Sequence, residues 1–488
     1  MSIEHLQQLD KIVSLSKSRG FIYPSSEIYG GLGAVYDYGP MGVELRRNIR
    51  DQWWKSMTRK HPNIVGLDAS IFMHPKVWEA SGHVDGFNDP MIDDKQSKKR
   101  YRADHLIEGL IAKLEKDGKS DKAATVQEAL DTAGSREGLC EDLEAIIQEY
   151  EIKSPDSGAF DWTPVRQFNL MFKTQFGAVA AAGDNDGIYL RPETAQGIFV
   201  NMKNVMDTSR VSIPFGIAQI GKAFRNEVVA RQFVFRMREF EQMEMQYFVA
   251  PGTDEDAYNE WLEKRMAWHI SLGIRQEHLR IAPHPDDKLA HYARAAADIH
   301  YHFPIGWQEV EGVHNRTDFD MTRHQEFSGK KMEVFDPTTQ SKFIPYVIET
   351  SIGLDRCMLM VLCDAYREEE VEGEVRTVLK MHPALAPIQV GIFPLVKKPE
   401  LQEVAAKLET ELSEHYSVLN DVSGSIGKRY RRLDEIGTPY CVTVDFDGLE
   451  DQTVTIRDRD SMQQTRVSID QLSATLRQKM ETWKPESS

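Results

Sequence analysis

Apolar positions recur at two different spacings along this chain, and the change from one rhythm to the other falls near residue 386. Residues 3–19 place apolar side chains on one helical face and stop at Gly20. Residues 43–60 read as a second helix, with Trp53 and Trp54 inside it. Residues 64–73 read as a strand ended by His74-Pro75. Further strands are expected at 168–172, 188–190 and 213–220, a helix at 257–272, and a strand running into a buried helix at 346–362. Beyond Pro383 and Pro387 the elements shorten and alternate. Strands are expected at 388–393, 418–419, 440–444 and 454–457, and helices at 401–416, 426–436 and 469–483. That alternation predicts a small α/β domain over 386–488.

Two stretches break the pattern of the first part. Residues 91–160 are rich in charge, contain helical runs and end in the turn-prone Ser154-Pro155-Asp156-Ser157-Gly158, so they read as an insertion. Residues 275–345 are mixed and read as a second insertion. The expected organisation is a large domain, 1–385, interrupted twice, followed by the small one.

Composition narrows the function classes. A formal net charge of −17 opposes indiscriminate nucleic-acid binding, although a local basic patch suffices for a specific contact. The densest such patch is Lys428-Arg429-Tyr430-Arg431-Arg432. The cysteines Cys140, Cys357, Cys363 and Cys441 form no Cys-x-x-Cys pair, so neither a zinc framework nor a disulfide scaffold is expected. Cys357 and Cys363 sit in an apolar helical run and read as core. No apolar run is long enough to span a bilayer, and residues 1–10 lack a signal-peptide core; a cytoplasmic location and no membrane partner are expected.

The candidate chemistry centres on Phe224-Arg225-Asn226-Glu227 and the returning arm Arg236-Met237-Arg238-Glu239-Phe240. These read as a strand, a polar turn and a second strand. A guanidinium can hold a phosphate bidentately, a carboxylate can accept from an adenine amino group, and an aromatic ring can stack on the base. Gly353-Leu354-Asp355-Arg356 offers a third Arg at the start of an apolar helix. No Rossmann or Walker glycine motif accompanies them. Gly31-x-Gly33 is followed by Tyr36 where a third Gly is needed. ATP held by arginines on an antiparallel sheet points to activation of a carboxylate by adenylate transfer.

These residues resemble motifs 2 and 3 of the class II aminoacyl-tRNA synthetases, and the helix–strand–Pro75 unit resembles motif 1. More narrowly, Ser26-Glu27-Ile28-Tyr29-Gly30-Gly31, Tyr36-Asp37-Tyr38-Gly39-Pro40, Arg191-Pro192-Glu193-Thr194-Ala195-Gln196-Gly197, Phe240-Glu241-Gln242-Met243-Glu244 and Arg316-Thr317-Asp318-Phe319-Asp320 resemble the glycyl-tRNA synthetases of the dimeric single-chain type. The resemblance runs almost end to end. It implies an α+β class II catalytic domain, an antiparallel sheet flanked by helices, followed by an anticodon-binding domain. It also implies a homodimer acting on glycine, ATP with Mg²⁺, and tRNA(Gly).

The roles that the resemblance implies are specific. Arg225 would grip the α-phosphate and the glycine carboxylate, and Arg225 and Arg356 are the expected catalytic residues. Glu227 would accept from adenine, with Phe240 stacked on one face and Arg356 on the other, reaching the γ-phosphate with Arg236. Asn226, Phe235, Met237, Arg238, Glu239, Glu309, Val310, Gly353, Leu354 and Asp355 complete the expected ATP site. Glu309 and Glu349 resemble the magnesium ligands. Glu193, Glu241 and Glu244 are candidate ammonium partners, and Ser351 and Arg316 candidates for crowding and carboxylate orientation. Arg100, Phe240, Gln242, Met243, Glu349, Thr350, Ile352 and Gly353 complete the expected substrate set. The zinc-binding cysteines of some relatives are replaced by Asp93-Asp94-Lys95-Gln96-Ser97-Lys98-Lys99, so zinc is not expected. In the last domain Gly424 to Tyr430 is the candidate tRNA contact, with Lys428 and Arg429 supplying charge. A sibling synthetase for threonine, proline or histidine, or a non-catalytic synthetase-like regulator, are the competing readings. The presence of Arg225, Arg236 and Arg356 opposes the regulator.

Overall fold

The computed structural model describes residues 3–133, 138–175, 187–228, 232–285, 289, 293–336 and 340–485. Helix α1, Ile3–Ser18, leads into a two-stranded ribbon, Ile22–Pro24 with Tyr36–Tyr38. Helix α2, Pro40–Trp54, starts on a proline at its first position, where the missing N–H costs nothing. Gly42 is required there, because a Cβ would fall 1.9 Å from the Phe21 carbonyl oxygen. The predicted strand after α2 is shorter than expected: β1 covers only Ile64–Gly66, and Pro75 opens a helix rather than closing a strand.

A four-residue helix, α3, His83–Gly86, precedes strand β2, Asn88–Asp93. Strand β3, Arg166–Asn169, pairs antiparallel with β2, Asn88 opposite Asn169. Between these strands the chain forms three helices, Ala103–Lys116, Ser120–Ala133 and Leu139–Glu149, around their own apolar core. The expected strand at 168–172 therefore belongs to this appended unit, not to the main sheet.

The main sheet has seven strands. After helix α4, Ala195–Ser209, come β4, Phe215–Phe224, and β5, Glu239–Val249. Helix α5, Asp254–Ser271, is followed by β6, Leu279–Pro283, β7, Ala295–Phe303, and β8, Gly306–Thr317. Strand β9, Tyr346–Gly353, runs directly into helix α6, Leu354–Ala365. The spatial order is β6-β7-β8-β9-β5-β4-β1, with only β1 joined in parallel. The stretch 275–345 is thus not a second insertion as expected. Three of its strands are integral to the sheet, and their mixed polarity reflects one face turned to the core and one more exposed. Helices α2, α5 and α6 pack on one face of the sheet and α4 on the other. Cys357 and Cys363 are buried in α6, as expected.

A hairpin absent from the expectations, Tyr366–Val371 with Glu374–Leu379, joins the two parts. Its Arg376 is fully buried and bonds Asp434 and the Arg459 carbonyl. The last domain holds β10, Val390–Pro394, α7, Pro399–Leu412, β11, Val418–Asn420, α8, Ile426–Asp434, β12, Tyr440–Val444, β13, Thr453–Asp458, and β14, Gln464–Ser468. Its sheet order is β11-β10-β12-β13-β14, parallel between β11, β10 and β12. The alternating pattern was correct here; β14 and a short helix, Phe446–Asp451, are additions.

Arg429 departs from its expected role. It is 2% exposed and donates to the carbonyls of Pro394, Leu395, Asp421 and Gly424. It closes the ends of β10 and the following loops, while the neighbouring Lys428 is exposed. The helical period turns these adjacent residues in different directions.

Candidate functional site

Strand β5 alternates strictly. Phe240, Gln242 and Glu244 face a cavity, while Met243 and Met245 enter the core on the other side. Strand β9 matches it, with Glu349, Ser351 and Gly353 at the cavity and Ile352 in the core. The register sets Gly353 opposite Gln242, Ser351 opposite Glu244 and Glu349 opposite Gln246. On β8 a bulge at Val310 lets Glu309 and Gly312 line the same cavity despite their odd spacing. A Cβ at Gly312 would fall 2.9 Å from the His314 ring, so glycine keeps that ring in place.

The cavity measures about 230 Å³. Its charge is distributed along the strands. At the Phe240/Gly353 end stand Arg225, Arg236 and Arg356. The Arg225 guanidinium lies 5.3 Å from the Phe240 ring centroid and 5.4 Å from that of Phe87, and its Nε donates to Pro192 at 3.0 Å. Arg356 lies over Phe235 at 4.4 Å and donates to the Phe235 and Glu309 carbonyls. Arg225 thus has two aromatic neighbours, Phe240 and Phe87, and Arg356 has Phe235. Arg236 stands 4.0 Å from Glu227.

The acids Glu193, Glu244 and Glu349 line the same cavity. Glu193 lies 3.4 Å from His83 and accepts from Gln196 at 3.0 Å. Glu244 accepts from the Thr194 hydroxyl and, at 3.1 Å, from Gln246. Glu349 accepts from Gln246 at 2.7 Å and from His314 at 2.9 Å, with Arg316 at 3.3 Å. Burial, then the neighbouring charges of Glu349 and Glu193, push the Glu244 carboxyl well above its usual range. Burial acts the same way on Glu349, but Arg316 and His314 outweigh it and hold Glu349 ionised. Burial would lower His314; its bonds to Asp298 and Glu349 instead hold it up at about 9. Thus the surroundings drive the two neighbouring acids in opposite directions.

Several expected residues are placed elsewhere. Glu241 points to the opposite face, where Arg46 at 2.7 Å and Arg50 at 3.4 Å neutralise it; the two-residue period of β5 excludes it from the cavity that holds Phe240 and Gln242. Met243, Thr350, Ile352, Val310 and Leu354 have buried side chains outside the cavity lining. Asn226, Arg238 and Glu239 also fall outside that lining. Arg238 braces the loop through the Glu227 and Gly33 carbonyls, and Glu239 pairs with Lys222. Arg100 pairs with Asp93 in the appended unit. Arg316 is held by Asp320 and Glu349, and Ser351 lines the cavity as expected.

Contacts from distant parts of the chain complete the frame. Asp355 accepts from the Tyr38 hydroxyl and from the Glu241 N–H at 2.9 Å, and Arg46 stacks 3.8 Å over the Tyr38 ring. This network braces the first turn of α6, which carries Arg356. His83, Phe87, Thr194, Gln246 and His314 likewise reach the site from distant positions. Tyr38 and Thr194 lay inside quoted motifs and Asp355 in the expected ATP set; His83, Phe87, Gln246 and His314 carried no signal of a role.

A seven-stranded, mainly antiparallel sheet with an arginine-lined cavity, followed by an α/β domain, is the architecture matched by the family models. Residues 172–365 match the tRNA synthetase class II core domain (G, H, P, S and T), and residues 389–479 match the anticodon binding domain. The fold is that of a class II aminoacyl-tRNA synthetase. Residues 89–131 and 118–170 match glycyl-tRNA synthetase insertion domain 1, the unit carried by β2 and β3. The chain is 57% identical over 474 residues to the glycine–tRNA ligase of Chlorobaculum tepidum, covering 97% of this chain and 100% of that one. It is 50% identical to that of Caldanaerobacter subterraneus subsp. tengcongensis, over 97% of this chain and 98% of the relative. For Treponema denticola the identity is 49%, over 99% of each chain. The chain belongs to the glycine–tRNA ligase family.

Proposed function

We propose that this chain activates glycine with ATP and transfers it to the 3′-OH of the terminal adenosine of tRNA(Gly). The observation that carries the reading is one cavity lined by Arg225, Arg236 and Arg356 and by the acids Glu193, Glu244 and Glu349, with Arg316 beside the acids and Glu227 and Glu309 beside the arginines. The triphosphate lies at the arginine end, and the glycine ammonium at Glu193 and Glu244. The glycine carboxylate, already ionised, attacks the α-phosphorus, and the bond to diphosphate breaks. Arg225 meets the charge that builds on the α-phosphate. No general base is needed. In the second step the ribose hydroxyl attacks the activated carbonyl and AMP leaves.

Among the described residues no group of three or more His, Cys, Asp or Glu is arranged to hold a metal by itself. That suits magnesium, which binds through one or two carboxylates plus substrate phosphates. Glu309 fits, with a side chain 48% exposed beside Arg356. Glu349 fits less well, being engaged by Arg316, His314 and Gln246. The ion, when bound, neutralises phosphate charge.

Glycine selection follows from exclusion. Glu193, Glu244 and Ser351 crowd the acidic end, and one added methyl is worth only about 1–3 kcal/mol in a permissive pocket. The last domain, 386–488, takes the anticodon, with Lys428 rather than Arg429 facing it. A homodimer is supported by the groove of about 930 Å³ beside α2, where Val35, Val43 and Trp54 stand among charged side chains that include Arg46, Arg47 and Arg50. It is also supported by Ile28 and Tyr29, which are 88% and 87% exposed. No helix among the described residues is long and apolar enough to cross a membrane. A cytoplasmic location is part of the same reading.

Glycine-dependent ATP–diphosphate exchange tests the site. Exchange with glycine and little with alanine is expected. Glu193→Gln should raise the Michaelis constant for glycine at least about tenfold through loss of a charge-assisted contact, and Glu241→Gln should leave it within about twofold. The reverse ranking would overturn the assignment of faces. In tRNA charging, Lys428→Glu should raise the Michaelis constant for tRNA severalfold with exchange unchanged. Arg429→Ala should instead lower the urea midpoint, since it strips carbonyls of their buried donor at about 1–3 kcal/mol. A stable Arg429→Ala variant with a selective tRNA defect would contradict this. Light scattering should give twice the chain mass of 55.8 kDa, and the monomer mass at micromolar concentration would refute the dimer.

A further inference from the structure

The appended unit enters and leaves the main domain at two adjacent points. Its strands begin at Asn88 and end at Asn169, which pair with each other. Phe87 lies just before the first and Leu170 just after the second, and the Leu170 N–H donates to the Phe87 carbonyl at 3.0 Å. Both residues touch consecutive residues of the loop after β4. The Phe87 ring centroid lies 5.4 Å from the Arg225 guanidinium, and the Leu170 carbonyl accepts from the Asn226 N–H at 2.7 Å. The turn before Phe87 sends His83 to Glu193 at 3.4 Å, and the His83 and Phe87 rings lie 5.4 Å apart.

We propose that Phe87 is a positioning residue for the adenylation step, holding Arg225 through its aromatic face, so that the root of the appended unit sets the geometry of the arginine. A guanidinium within about 6 Å of a ring is attracted by the ring quadrupole, and the planar ion keeps its donors free for a phosphate at its edge. Phe240 cannot supply this alone, because the base is expected to compete for its face. The Leu170–Asn226 bond fixes the backbone beside Arg225. The side chain still has several rotatable bonds, and a second aromatic wall restricts them. The inference rests on the reading of Arg225 as the α-phosphate ligand.

The test compares Phe87→Leu, Phe87→Tyr and Arg225→Ala in glycine-dependent exchange, with thermal unfolding as the control for folding. Phe87→Leu keeps apolar bulk and loses the ring. It should lower kcat roughly 5- to 30-fold, the span of a partly desolvated cation–π contact, with the Michaelis constant for glycine within about twofold. Phe87→Tyr should restore kcat to within about threefold of the parent. In the Arg225→Ala background Phe87→Leu should cost nothing further. A parent-like Phe87→Leu, or a Phe87→Tyr as impaired as Phe87→Leu, overturns the inference while Arg225→Ala keeps only a small, measurable residual exchange. An Arg225→Ala protein with normal exchange overturns the underlying reading of Arg225, and this inference with it.

Discussion

The whole site depends on the register of β5 between β4 and β9. Both pairings are antiparallel, and Gln242 lies opposite Gly221 on one side and Gly353 on the other. A slip of one residue would turn Met243 and Met245 into the cavity and bury Gln242 and Glu244 beneath α5 and α6. The apolar side of the sheet prevents this. Met243, Met245, Val313, Ile348 and Ile352 share one core with the helices, so the polar face is fixed by what the other face must bury. The separation of charge follows from the same register. Four residue steps along the strand separate Glu349 from Gly353, about 13 Å. Under the proposed function that length separates the triphosphate end from the ammonium end.

The second constraint is the cost of keeping charge in a buried cavity. Glu244 and Glu349 would repel each other if both were ionised, and the bridging Gln246 amide cannot neutralise either. The structure resolves this by unequal surroundings: Arg316 and His314 stand beside Glu349, and Thr194 beside Glu244. Behind the sheet, Glu311 is matched in the same manner by Arg265 at 2.5 Å and His269 at 2.7 Å. A buried carboxylate stripped of such partners is strongly destabilising, on the order of 3–5 kcal/mol. The acids of the site are therefore tied to residues far away in the sequence.

How much of this was legible in the sequence depended on the range of the interactions. The β4–loop–β5 arm and the β9–α6 turn were readable, because local strand and helix patterns carry their own arginines to the ligand face. So was the alternating last domain. Glu241 was misplaced because adjacent acids on a strand look alike until the face is known. Arg429 was misread because a cluster of cations does not reveal which one fills a gap between carbonyls. Residues 275–345 looked inserted because β6, β7 and β8 have one polar face. His83, Phe87, Tyr38 and His314 were not seen as site residues, since each works by a contact with a residue distant in the chain. Membership of the glycine–tRNA ligase family accounts for the motifs, while the geometry accounts for which member of each motif faces the cavity.

The account places the nucleotide on the β5–β9 face and leaves the larger groove beside α2 for chain association. A crystal structure with a non-hydrolysable glycyl-adenylate analogue tests that division most directly. The account predicts the phosphate within hydrogen-bonding distance of the Arg225 guanidinium, the adenine against Phe240, and the ammonium between Glu193 and Glu244. An analogue bound in the α2 groove, or one whose ammonium contacts Glu241, would contradict it.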